Sequence, residues 1–138
     1  MILFVCTGNI CRSPMGEALL RHHLTAAGAD RPVASAGTHA MDGGPATGHG
    51  IEVLADRDID LTGHRSRHLD AEVIDDADLI VAMTRRHEAA VARLDPTARG
   101  RTFLVGEVVR LGGQVGPPAA DEASGRGLHA STPPAAAT

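Results

Sequence analysis

The sequence predicts an α/β fold, a four-stranded parallel sheet with helices on both faces. Two observations carry that reading. Ile2-Leu3-Phe4-Val5 and Leu79-Ile80-Val81-Ala82-Met83 are apolar at every position, as strands covered on both sides must be. Longer segments with helix start and stop signals separate the strand-like runs, and that alternation implies parallel strands joined by crossovers.

Taken in order, Ile2–Val5 is the first strand. A helix is expected over Pro14–Ala27, with Ser13 as N-cap, Pro14 at the first helical position, Glu17 in the first turn and Gly28 as the stop. Met15, Leu19, Leu20 and Leu24 mark its buried face. Pro32–Ala36 is a second short strand ending at Gly37. Thr47–Arg57 reads as a helix with Ile51, Leu54 and Ala55 inward, although Gly48 and Gly50 weaken it. Leu79–Met83 is the third strand. Thr84 then caps a helix to about Leu94, stopped by Asp95-Pro96. Thr102–Val105 is the fourth strand, and Glu107–Leu111 a short helix.

Composition bounds the function. The 138 residues amount to one domain, with 43% hydrophobic side chains and a formal net charge of -4. That balance argues against binding nucleic acid through a broad basic face. All 13 basic residues are arginine, and Phe4 and Phe103 are the only aromatic residues, both expected in the core. No apolar run reaches the ~20 residues needed to cross a bilayer. Met1–Cys6 has no basic region before it and reads as a strand, not a signal peptide, so no membrane partner and a cytoplasmic location are expected. From Gly112 to Thr138, 16 of 27 residues are Gly, Ala or Pro. A domain over residues 1–111 followed by a disordered tail over 112–138 is therefore expected.

Two cysteines, Cys6 and Cys11, are too few and too close for a disulfide scaffold, and they lack the partners of a structural zinc site. They lie in Cys6-Thr7-Gly8-Asn9-Ile10-Cys11-Arg12, between the first strand and the first helix. A loop in that place gathers backbone N–H groups around a helix N-terminus, where the dipole adds to their pull on an anion. Gly8 permits tight curvature and Asn9 tolerates left-handed backbone angles, so residues Thr7 to Ser13 form a nest for phosphate. Arg12 presents a planar guanidinium that grips two phosphate oxygens. Cys6 lies at the bottom, and the field that holds a phosphate also stabilises a thiolate.

Cys6 to Pro14, nine consecutive residues, resembles the signature of the low-molecular-weight protein tyrosine phosphatases. Ser35-Ala36-Gly37-Thr38, His64-Arg65-Ser66, and Asp78 to Thr84 followed by His87 agree with it. The resemblance covers residues 1 to about 111. It implies a phosphomonoester hydrolase in which Cys6 attacks phosphorus to form a phosphocysteine. Arg12 clamps the equatorial oxygens, Ser13 bonds the Cys6 sulfur, and Asn9 holds the loop with Ser35 as its partner. It implies no metal or organic cofactor. Cys11 matches a second loop cysteine that pairs reversibly with the nucleophile under oxidation, or is simply a small buried thiol. Ile10 is similar to the tyrosine-phosphatase version of the loop, where relatives acting on phosphoarginine carry Thr. His64 and His68 are read as loop residues rather than a metal site, and Arg65, Arg67, Arg85 and Arg86 as solvated surface.

Two departures stand out. The family takes a general acid from an Asp-Pro loop near its C-terminal end, whereas the only such pair here is Asp95-Pro96. Asp121 and Glu122 are the nearest substitutes, with the expectation that neither serves. The family's final helix is also not matched, which reads as a truncated or diverged member with impaired leaving-group chemistry. There is no Tyr or Trp to sandwich a substrate ring, so a small phosphoester competes with a phosphorylated protein as substrate. Two alternatives follow: a phosphate-binding module with little catalysis, and a thiol-coupled arsenate reductase.

Overall fold

The computed structural model describes residues 1–115, with side chains described as far as Arg110. Its elements run β1 (Ile2–Cys6), α1 (Arg12–Ala26), β2 (Val33–Gly37), α2 (Gly48–Ala55), α3 (Ala71–Asp76), β3 (Leu79–Ala82), α4 (Arg85–Leu94), a 3-10 turn (Pro96–Arg101), β4 (Thr102–Leu104) and α5 (Val105–Val115). The strands form one four-stranded sheet in the order β2-β1-β3-β4, parallel throughout. Register runs from Ile2 opposite Val33 to Cys6 opposite Gly37, and from Ile2 opposite Leu79 to Val5 opposite Ala82.

Because side chains alternate along β1, its two faces feed two separate cores. Leu3 and Val5 pack with Val73, Ile74, Ile80 and Val91, under α3 and α4. Phe4 packs with Leu24, Val33 and Val81, joined by Leu20, Val105 and Val108 from α1 and α5. A third cluster of Leu19, Leu54, Ile59 and Leu61 fastens α2 to α1. Helices thus cover both faces, and the buried centre strands explain why β1 and β3 read as unbroken apolar runs.

Local chemistry sets the boundaries. Thr47 caps α2 by accepting from the Gly50 N–H, and Asp70 caps α3 by accepting from the Val73 N–H. Gly28, at φ +75°, closes α1. Several expectations are corrected. Helix α1 begins at Arg12, with Cys11 at the N-cap and no side-chain cap bond. Ser13 is inside it, its hydroxyl spent elsewhere, and Glu17 falls beyond the first turn. Helix α5 spans Val105–Val115, longer at both ends than Glu107–Leu111. Helix α3 and the 3-10 turn were not anticipated. Phe103 is only half-buried, because β4 is an edge strand paired with β3 alone. Of the tail expected over residues 112–138, residues 116–138 lie outside the described residues, Asp121 and Glu122 among them. No helix among the described residues is long and apolar enough to cross a membrane.

Candidate active site

The loop from Cys6 to Arg12 leaves the carboxyl edge of the sheet at its centre and turns directly into α1. Cys6 is the last residue of β1 and is buried at 4% exposure. Its sulfur lies 2.8 Å from the Ser13 hydroxyl and accepts from the Asn9 backbone N–H at 3.3 Å. Arg12 and Ser13 occupy the first turn of α1, where N–H groups have no carbonyl of their own helix to bond. Arg12 is exposed, as are Thr7 and Ile10. Cys11 is half-buried at the helix entrance.

Asn9 is the keystone of the loop. It is wholly buried at φ 54°, a backbone region that Asn occupies more readily than most residues. Every polar group it owns is engaged. Its Nδ2 donates to Ser13 Oγ at 3.0 Å and to Ser35 Oγ at 2.8 Å. Its Oδ1 accepts from the Arg67 backbone N–H at 2.8 Å. Its carbonyl accepts from His64 Nε2 at 2.6 Å, and its N–H faces the Cys6 sulfur. Ser35 passes the chain on by donating to Glu17 Oε1, and Glu17 pairs with Arg21.

This chain has a direction. Ser13 Oγ accepts from Asn9, so its own proton is free to point at the sulfur, and a thiolate can only accept. The Asn9 N–H and the Ser13 O–H thus both aim at the Cys6 sulfur.

Histidine 87 supports the loop's other end. It is buried, and the Thr84 N–H donates to its Nδ1 at 3.1 Å. Nδ1 must therefore be unprotonated, which places the proton on Nε2, 2.8 Å from Thr7 Oγ1. Burial holds the His87 pKa below the ordinary histidine value, and the nearby Arg12, Arg86 and His39 push it the same way.

The structure thus brings Cys6, Asn9, Ser13 and Ser35 into one hydrogen-bonded group, with Arg12 beside it. Sequence reasoning did not assign a role here to Glu17, His64, Arg67 or His87. The spacing of Ser13 and Glu17, four apart on one helix face, was the available signal for Glu17. His64 and His87 meet the loop across 55 and 80 residues of chain. Arg67 acts through its backbone, on which side-chain identity is silent. His64, expected only as a loop residue, is half-buried and braces the Asn9 carbonyl.

The model of the family described as low molecular weight phosphotyrosine protein phosphatase matches residues 1–114. The chain belongs to that family. It is 45% identical over 106 residues to the low molecular weight protein-tyrosine-phosphatase Etp of Escherichia coli (strain K12), covering 77% of this chain and 69% of that protein. Among solved structures, the low molecular weight protein tyrosine phosphatase of T. tengcongensis superimposes with a TM-score of 0.78 at 34% identity, over 98% of this chain and 93% of that one. The YwlE arginine phosphatase of Bacillus subtilis gives a TM-score of 0.74 at 41% identity, over 78% and 70%. That last structure is a mutant carrying a phosphorylated active-site serine. Family membership makes this chain a phosphomonoester hydrolase of the protein tyrosine phosphatase type.

Proposed function

We propose that Cys6 is the nucleophile and that Arg12 and Ser13 complete the catalytic group, with Thr7 to Ser13 holding the phosphate. The Cys6 thiolate attacks phosphorus as the P–O bond to the leaving group breaks, forming an S–P bond. The departing oxygen leaves with the bonding electron pair and takes its proton from solvent. Water then attacks phosphorus, the S–P bond breaks, and inorganic phosphate leaves with Cys6 restored. The Arg12 guanidinium and the loop N–H groups hold the equatorial oxygens, where charge gathers in transit. Ser13 stabilises the sulfur both before attack and as it departs. Asn9 and Ser35 are positioning residues.

The observation that carries this reading is the Cys6 sulfur, held at the base of the loop by the Ser13 hydroxyl and the Asn9 amide. The phosphorylated serine in the arginine phosphatase supports it, since a side chain at that protein's active site accepts the phosphoryl group. Phosphotyrosine in a protein is the substrate proposed here, on the basis of Ile10 in the loop and the similarity to Etp. A thiolate nucleophile needs a reducing compartment, which supports a cytoplasmic site of action. Replacing Cys6→Ser tests the assignment with p-nitrophenyl phosphate as substrate. Turnover falls by about 10³-fold or more, while orthophosphate still binds. Turnover that survives the substitution would remove Cys6 from the nucleophile's role.

A further inference from the structure

Beside the phosphate loop lies a groove of about 320 Å³ that the chemistry above does not use. One wall is the segment after β2, whose Thr38 and His39 N–H groups donate to the carbonyls of Cys6 and Thr7, both at 2.9 Å. The other wall is α4, whose His87 reaches Thr7 Oγ1 at 2.8 Å. Both walls therefore bond to Thr7 of the phosphate loop.

Leu94, 46% exposed, provides apolar surface beside the buried Leu69 and Ala90. His39, His68, Arg86 and Arg93 stand around them, and no Asp or Glu lines the groove. Arg86, Ala90, Arg93 and Leu94 share one face of α4 through their spacing. The ion pair on this helix is Arg85 with Glu88 at 3.6 Å, and among the described residues Arg86 and Arg93 take part in none. Asp42 accepts the His68 backbone N–H at 2.8 Å. A chain with net charge -4 thus concentrates unpaired cations and exposed apolar surface beside its phosphate loop. Residues 86 to 94 span about 12 Å along the helix, the reach of about four extended residues.

We propose that this groove holds the acidic, partly apolar peptide segment flanking the phosphorylated residue of a protein substrate. The inference rests on the phosphatase reading and extends it. The loop grips the phosphoryl group, Arg86 and Arg93 meet carboxylates on neighbouring residues, and Leu94 meets an apolar side chain between them. Arg86, expected as solvated surface, thereby acquires a ligand contact.

The test compares three probes on the wild-type chain and on Arg93→Glu: p-nitrophenyl phosphate, a phosphotyrosine peptide with Asp and Glu flanks, and the same peptide with Asn and Gln. In wild type, kcat/KM for the acidic peptide exceeds that for the neutral one by about fivefold. The preference shrinks at high salt. In Arg93→Glu it falls to unity or reverses. A wild-type ratio of one, or a ratio that Arg93→Glu leaves unchanged, overturns the groove assignment. Self-association that Arg93→Glu abolishes would give the groove to a second copy of the chain and also overturn it. Failure to turn over any of the three probes refutes the phosphatase reading instead. Affinity of Cys6→Ser for the two peptides then decides the groove on its own, equal affinities counting against it.

Discussion

At the scale of single residues, the loop is held by saturation. Asn9 has no polar atom left unbonded, so its left-handed backbone angle, unfavourable alone, is over-determined by its partners. Histidine 87 illustrates the same logic with a titratable group. Its buried ring receives the Thr84 N–H at Nδ1, so a proton there would set donor against donor. Its pKa is depressed by burial first, then by Arg12, Arg86 and His39. The unfolded chain therefore binds this proton more readily than the folded one. Its contribution to stability is complete above the unfolded value of about 6.5 and is lost as pH falls through the depressed folded value. His87→Gln keeps a donor near Thr7 but removes the titration. Urea midpoints between pH 7.5 and 5 should fall less steeply for this variant than for wild type, with His23, also depressed by burial, still titrating in both. Parallel profiles would contradict the neutral assignment. The nonapeptide from Cys6 to Pro14 was legible in the sequence because its function is local. The bracing by His64 and His87 was not, because contacts across 55 and 80 residues exist only once the sheet has formed.

At the scale of elements, the loop's shape depends on the end of β2. Gly37 pairs with Cys6 in the sheet, accepts from the Leu69 N–H and donates to the Arg67 carbonyl. A Cβ there would lie 2.5 Å from the Thr7 carbonyl oxygen and 2.8 Å from the Asn9 nitrogen. These are backbone atoms of the phosphate loop and cannot swing aside as a side-chain end can. Gly37→Ala should cost about 1–3 kcal/mol in urea unfolding and lower kcat for p-nitrophenyl phosphate by about tenfold or more. Gly63→Ala, with open space around its added methyl, is the control and should change neither by much. Equal behaviour of the two variants would show that the loop does not depend on this close approach. The same scale explains which elements could be read in advance. Strands β1 and β3 are buried on both faces, and their sequences are apolar throughout. Helix α3 has six residues, too few for a periodic signal. Ser13 looked like an N-cap because residue type alone cannot distinguish a hydroxyl that caps a helix from one that serves a sulfur.

At the scale of the whole molecule, parallel topology gathers the β1–α1 loop, the start of α4 and the segment after β2 at one edge of the sheet, as expected for this fold class. It also decides what Asp95 can do. Helix α4 starts beside the loop at Thr84 and His87, and Asp95 ends it, about 15 Å along its axis. There Asp95 accepts from the Thr97 N–H and hydroxyl, at 3.0 and 2.5 Å, and lies near Arg101. The Thr97 bonds hold its carboxyl below the ordinary aspartate range. A carboxyl so placed and so firmly ionised caps the 3-10 turn and does not protonate a leaving group. With the only Asp-Pro pair of the sequence committed in this way, we propose that the departing oxygen of the substrate carries most of its own charge. Turnover should then depend steeply on the leaving group: p-nitrophenyl phosphate, whose phenolate departs readily, outpacing phenyl phosphate by about 10²–10⁴-fold in kcat, the range a general acid otherwise supplies. Asp95→Asn should leave that ratio within about twofold of wild type. Equal rates for the two esters would demonstrate a proton donor at work in the 138-residue chain, and a ratio altered by Asp95→Asn would bring that carboxyl back into the chemistry.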